Sequence, residues 1–320
     1  MNSYHKKEST MEKTNRYLGV DVAKRALQVD TFDKQPSVVE NTSQGIAALI
    51  RRIKAAGDIT VCCEATGGYE RLLVKACTNA GIPVAVTNPR WVRDYARSKG
   101  ILAKTDKIDA RVLSQFGQQN HPLLLRVPEQ HISELKELLV RRSELVNDRT
   151  REKCRMDTAA SPSLIKNIKK HIAFFDKTIK ELEALVMDMA KNNSHIQDNY
   201  QRLIQVKSIG PITALSIIAF MPELGRITNQ QAAALAGLAP YNRDSGKFRG
   251  KRQIRGGRWY IRKVLFMTAV CASRTNDILK RHYQQLIKRG KPAKVALVAV
   301  MRKLIVLANN IISKPDFVPA

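Results

Sequence analysis

Tyr17-Leu-Gly-Val-Asp-Val22 reads as a buried strand that ends in Asp21, and Ile59-Thr-Val-Cys-Cys63 reads as a second one that delivers Glu64 at its C-terminal end. Between them, Ala26 to Phe32 alternates in a strand-like way and Val38-Val39 adds a third short strand. Asn41-Thr-Ser is a cap-like start to a helix carrying Ile46, Leu49, Ile50 and Ile53, closed by Gly57. After Glu64, Ala65-Thr-Gly-Gly68 is a tight turn into a helix from Tyr69 to Ala80, followed by Gly81 and the strand Pro83-Val-Ala-Val-Thr87. Three antiparallel-capable strands followed by alternating helix and strand predict a mixed α/β sheet. Ligands in such sheets bind beyond the carboxyl edge, which is where Asp21 and Glu64 fall.

A second pair of carboxylates lies in Lys104-Thr-Asp-Lys-Ile-Asp-Ala-Arg111. Asp106 and Asp109 are three residues apart at the start of a helix running through Ala110, Val112, Leu113 and Phe116, so both project from one face. Thr105 is an N-cap and acids in a first turn suit the helix dipole, so these two residues alone describe a well-capped, solvated helix start. With Asp21 and Glu64 added, four carboxylates converge on a site too negative to exist without cations. Oxygen ligands without His or Cys point to Mg2+ or Mn2+.

The chain of 320 residues is long enough for two or three domains, and it carries 55 Lys and Arg against 28 Asp and Glu, a net charge of +27. So large a positive field implies a polyanionic partner, of which nucleic acid is the commonest. The excess is concentrated: Tyr241 to Lys303 holds 18 Lys or Arg and only two acids, Asp244 and Asp277. Cys62, Cys63, Cys77, Cys154 and Cys271 show no metal or redox spacing and read as free thiols of a reducing cytoplasm. The six histidines are scattered, which argues against a His-ligated metal. The longest apolar run, Ala293 to Ile312, is interrupted by Lys294, Arg302 and Lys303, so no membrane span is expected.

Residues 1–15 form a polar tail, expected to be disordered, and residues 16–125 the sheet domain. Residues 126–195 are long amphipathic helix. Ile165, Ile168, Ile172, Phe175, Ile179, Leu182, Val186 and Met189 repeat with heptad spacing, whereas the seam of Ile132, Leu135, Leu139 and Val146 is broken by Arg142 and Arg149. With a turn at Ser161-Pro-Ser163, the pair is either an ordinary helical hairpin or a dimerising coiled coil. Residues 196–320 form the C-terminal domain. Val206-Lys-Ser-Ile-Gly-Pro-Ile-Thr-Ala214 resembles a helix-hairpin-helix turn with Gly210 but one glycine too few, and equally fits a plain helix-turn-helix connection.

Tyr241 to Arg258 is rich in glycine and arginine and reads as a flexible loop gripping phosphates through Arg243, Lys247, Arg249, Lys251, Arg252, Arg255 and Arg258. Ser245 lies among these cations before Gly246; it is by default a turn residue, yet the setting can stabilise charge developing at an attacked phosphodiester. Tyr241, Phe248, Trp259 and Tyr260 are candidates for base stacking, the last two equally for core. Trp259 to Cys271 and Ala293 to Ile312 are apolar helices beneath the loop.

Gly19-Val-Asp21, Cys63-Glu-Ala-Thr-Gly67, Asn88-Pro89, Lys104-Thr-Asp-Lys-Ile-Asp-Ala110, Ser208-Ile-Gly-Pro211, Leu235-Ala-Gly-Leu-Ala-Pro240 and Asp244-Ser-Gly246, in this order, resemble the DEDD-motif transposases of bacterial insertion sequences, a bridge-RNA-guided recombinase family related to the Piv-type DNA invertases. The resemblance implies a RuvC-like, RNase H-like N-terminal domain with Asp21, Glu64, Asp106 and Asp109 as its metal-binding tetrad. It also implies Ser245 as a nucleophile joined covalently to DNA, donor and target DNA and a non-coding guide RNA as partners, and a homodimer or homotetramer associated with the bacterial nucleoid. Rival readings are a Holliday-junction nuclease or site-specific invertase, and a non-enzymatic basic RNA- or DNA-binding protein.

Overall fold

The computed structural model describes residues 16–30, 37–103, 105–125, 130–242, 244–245, 248–250, 252–314 and 317. The expected N-terminal tail, Arg243, Gly246, Lys247 and Lys251 lie outside them, as do the side chains of Phe248 and Arg249. The chain divides into two compact units, Met1–Val127 and Pro128–Ala320.

The first unit is a five-stranded mixed sheet with helices. Its elements are β1 (Arg16–Val22), β2 (Ala26–Val29), β3 (Val38–Glu40), α1 (Ser43–Ala55), β4 (Ile59–Glu64), α2 (Arg71–Asn79), β5 (Val84–Thr87), α3 (Pro89–Ser98) and α4 (Asp106–Asn120). The strand order is β3-β2-β1-β4-β5, antiparallel across β1, β2 and β3 and parallel across β1, β4 and β5. Alternation along β1 and β4 sends Leu18, Val20, Val61 and Cys63 into one core layer and Cys62 into another, formed with Val92, Ala96, Val112, Leu113 and Phe116 of α3 and α4. Helix α3 was not foreseen in the sequence; it buries only Val92 and Ala96, too few apolar positions to make a periodic signal.

Helix α4 lies unusually close to β1. A Cβ on Gly19 would collide with the Ala110 carbonyl and the Ser114 amide, and one on Gly117 would meet the Tyr17 ring at 2.6 Å. The Ser114 hydroxyl accepts the Gly19 N–H at 2.7 Å, which ties α4 directly to the backbone of β1. Contact therefore runs from Tyr17 with Gly117 to Gly19 with Ala110 and Ser114. It ascends β1 while descending α4.

The second unit is mainly helical. Helices α5 (Gln130–Thr158) and α6 (Pro162–Lys191) form an antiparallel hairpin whose turn is Ala159–Ser161, two residues earlier than the sequence suggested because Pro162 takes the first helical position. The two arginines that break the α5 seam face acids of α6: Arg142 pairs with Glu183 and Arg149 with Asp176 at 2.6 Å. Beyond them come α7 (Ser194–Ile204), α8 (Pro211–Phe220) and α9 (Asn229–Leu235), the short strands β6 (Pro240–Tyr241), β7 (Asp244–Ser245), β8 (Phe248–Arg249) and β9 (Gln253–Ile254), and helices α10 (Trp259–Thr275), α11 (Asp277–Lys288) and α12 (Ala293–Ser313). By length and composition α12 could cross a bilayer, but Val300, Leu304, Ile305, Ala308 and Ile311 are buried in the core, with Arg302 and Lys303 outward.

Candidate functional site

Sheet register decides where the first two carboxylates stand. Gly19 pairs with Cys62 and Val20 with Cys63, so the next rung along the parallel pair brings Asp21 beside Glu64. Side chains two residues apart share a face, so Asp21 follows Gly19 and Glu64 follows Cys62 onto the side covered by α3 and α4. The descent of α4 over β1 extrapolates from Gly19, under Ala110 and Ser114, to Asp21, under the first turn of the helix. That turn holds Asp106 and Asp109, with Thr105 as its cap accepting the Ile108 N–H at 3.3 Å. Asp106 is exposed, whereas Asp21, Glu64 and Asp109 are partly buried. Register and helix approach thus direct Asp21, Glu64 and the first turn of α4 toward one edge and one face of the sheet, although among the described residues no three of these carboxylates form a cluster.

Among the described residues no three acidic, histidine or cysteine side chains stand close enough to cage an ion. The donor set nevertheless fits a hydrated divalent cation, because Mg2+ keeps several waters and is held by one or two carboxylates together with substrate phosphates. Cysteines contribute nothing to that set. Burial, with the Glu64 charge adding to it, pushes the Cys62 thiol up to about 12, and burial raises Cys63 further, so both stay protonated in the core.

The turn after Glu64 is tied down by a residue the sequence did not single out. The Glu70 carboxylate accepts the Thr66 N–H at 3.1 Å, the Thr66 hydroxyl at 3.0 Å and the Gly68 N–H at 2.9 Å. Burial alone would raise its pKa, but these donors outweigh it and hold the carboxyl below its ordinary value. A glutamate two residues after a Gly-Gly pair was the available signal.

In the second unit, Ser245 lies on a β-arm rather than the flexible loop expected. Pro240 and Tyr241 pair with Ile254 and Gln253 at its base, and Asp244 and Ser245 pair with Arg249 and Phe248 further out. Ser245 is exposed on the outermost described rung, and Arg252 and Arg255 are exposed on the returning side. The base is clamped by glycines: a Cβ on Gly257 would strike the Gly237 backbone, and a Cβ on Gly237 would strike the Gly256 carbonyl. Arg258, grouped above with the phosphate-gripping residues, is instead part of this clamp. Its guanidinium donates to both Glu223 oxygens, one at 2.7 Å, and to the Phe220 carbonyl at 2.7 Å. Glu223 is half-buried; burial would raise its pKa, but the Arg258 hydrogen bonds and charge bring it below normal.

The other aromatic candidates separate cleanly. Tyr260 is core, stacked on Phe220 at 4.0 Å with its hydroxyl donating to the Leu139 carbonyl at 2.8 Å, whereas Trp259 and Tyr241 are exposed. At the hairpin between α7 and α8, Ser208 adopts φ +104, the left-handed backbone that a glycine would normally supply.

Acids at one edge of a mixed sheet and a basic arm bearing an exposed serine suit a class of protein that works on a polyanionic strand. Comparison with known proteins narrows the class. Residues 18–161 match the DEDD transposase family model of the IS110 type, and residues 200–284 match the model described as transposase IS116/IS110/IS902 family. The pilin gene-inverting protein of Moraxella lacunata is 27% identical over 322 residues, covering 94% of this chain and 96% of its own. The transposase for insertion sequence element IS1111A of Coxiella burnetii is 22% identical over 277 residues, covering 76% of this chain and 74% of its own. The chain belongs to the IS110-type DEDD transposases and is a DNA-recombination enzyme.

Proposed function

We propose that the chain is the transposase of an insertion sequence and that it cuts and rejoins DNA through a serine–DNA intermediate. Asp21, Glu64, Asp106 and Asp109 would be its metal-binding tetrad and Ser245 its nucleophile. The observation that best supports this reading is the strand register that carries Asp21 and Glu64 to the same end of β1 and β4, together with the close approach of α4, whose first turn holds Asp106 and Asp109, to β1. The strand order, with three antiparallel strands followed by parallel ones, supports reading the unit as RuvC-like.

Mg2+ or Mn2+ held by the tetrad would offset phosphate charge. The chain's own residues do the rest. Ser245 Oγ attacks the scissile phosphorus, a serine–phosphate ester forms, the bond to one deoxyribose oxygen breaks, and that oxygen takes up the proton. Arg252 and Arg255 on the arm neutralise the phosphate under attack. Because one ester replaces another, rejoining is the reverse exchange with a new deoxyribose hydroxyl and needs no ATP. In this reading a non-coding RNA pairs with donor and target DNA, and the protein works as a homodimer or homotetramer.

The test is end-labelled DNA carrying the element's junction, with divalent metal and the copurifying RNA. The chain is expected to leave a DNA-linked protein species that disappears in Ser245→Ala. Free DNA ends with no adduct would replace serine by water as the nucleophile.

A further inference from the structure

We infer that Tyr69 and Trp91 form a stacking platform for unpaired nucleobases at the carboxyl edge of the sheet, so that the DNA strand reaching the carboxylates is single-stranded there. This rests on reading Asp21 and Glu64 as the phosphate-side site. Glu64 pairs with Thr87 on the last rung of β4 and β5, and the two rings stand on the segments leaving that same rung. Trp91 is 65% exposed and Tyr69 48%.

A single exposed aromatic is ordinary on a protein surface. What sets this pair apart is that the backbone beneath each ring is anchored while the ring itself is displayed. Glu70 holds the Thr66–Gly68 turn by three hydrogen bonds, and the Asn41 side chain donates to the Tyr69 carbonyl at 3.2 Å. On the neighbouring segment the Asn88 side chain caps α3 by accepting the Arg90 N–H at 2.9 Å, and Val92 and Ala96 fix the helix in the core. With the backbone anchored, only the rotamer freedom of each ring is left to lose on stacking.

The surroundings are cationic. Helix α3 and its cap carry Arg90, Arg93, Arg97 and Lys99 against one acid, Asp94, whose carboxylate is shared between Arg90 at 3.9 Å and Arg97 at 3.6 Å. Aromatic faces set among cations match single strands, whose bases stack on rings while their phosphates follow the charge. A duplex shows only base edges, and a protein partner favours a patch whose centre is depleted of charge. A strand that is to be exchanged must part from its complement, and such rings offset part of the cost of unstacking its bases.

The chain has two tryptophans, so Trp259→Phe leaves Trp91 as its only indole. The full-length Trp259→Phe, Asp21→Asn protein is titrated with oligo(dT), oligo(rU) and a matched dT·dA duplex while indole emission is followed. Oligo(dT) should quench Trp91. With Trp259 restored, Trp91→Ala or Tyr69→Ala should weaken oligo(dT) binding by about 5- to 100-fold, duplex binding should stay nearly unchanged, and Trp91→Phe should recover most of the loss. Absent quenching by oligo(dT), quenching by oligo(rU) alone, or equal losses on duplex and single strand would overturn the platform. Cleavage by Asp21→Asn is measured separately: activity surviving that change removes the carboxylate reading, whereas the titration result judges the rings.

Discussion

The acidic edge and the serine arm hold their reactive groups in opposite ways. At the edge, Asp21 and Glu64 stand in the last residues of buried strands and Asp106 and Asp109 in the first turn of a helix packed on β1, so the core itself fixes their backbone positions. On the arm, Ser245 stands on two-residue strands outside the core, and its position depends on a clamp at the base made by Gly237, Gly257, Glu223 and Arg258. The contrast teaches that one half of the proposed chemistry is preorganised by packing, while the other is carried by a small number of replaceable contacts. Changes at the edge should therefore act on chemistry or on folding. Changes at the clamp should act on placement.

The largest expected effect tests the edge. Asp21→Asn should lower strand cleavage by about a thousandfold or more, as loss of transition-state charge stabilisation implies, while nucleic-acid binding stays within about twofold. Removing divalent metal with a chelator should give the same split, read by cleavage and by filter binding.

Next comes Gly19→Ala, which forces a methyl into the α4 backbone and should cost about 3 kcal/mol or more, read as a fall in thermal midpoint. Gly257→Ala collides in the same way at φ +69, but beside the arm; it should reduce DNA-linked adduct far more than it reduces the melting temperature. Equal destabilisation by both would erase the distinction between packed edge and clamped arm.

Glu223→Gln should cost about 1 kcal/mol, a modest figure because both partners are more than a third exposed. The sign of its pH dependence follows from the lowered folded-state pKa. The stabilisation is complete above the ordinary glutamate value and is lost as pH falls through the lower folded one, so wild type and Glu223→Gln should converge in strong acid. The smallest effect belongs to Arg142→Met with Glu183→Leu, expected within about 1 kcal/mol of wild type in urea unfolding.

The strands were legible because buried strands advertise themselves as apolar runs, and the acids Asp21 and Glu64 at the ends of such runs were conspicuous. Helix α3 was not, since its ten residues spend only two on the core. The arm was visible as composition but not as structure, because rungs of two residues are too short to alternate. The Arg258 ion pair was hidden as well: among many cations, nothing local distinguishes the one whose partner, Glu223, is 35 residues away. Arg142 and Arg149 looked like flaws in a seam until their acids on α6 came into view.

Those two ion pairs bear on how far the hairpin reaches. They are seven residues apart on each helix and run in opposite directions, so both close in one alignment only. Sliding α6 by a heptad one way would set Arg142 against Ala190 and leave Asp176 without its cation; the other way would set Arg149 against Lys169 and leave Glu183 without one. The pairs act as a vernier, and the distance from the helical body to the Ala159–Ser161 tip is a gauge length written into the sequence.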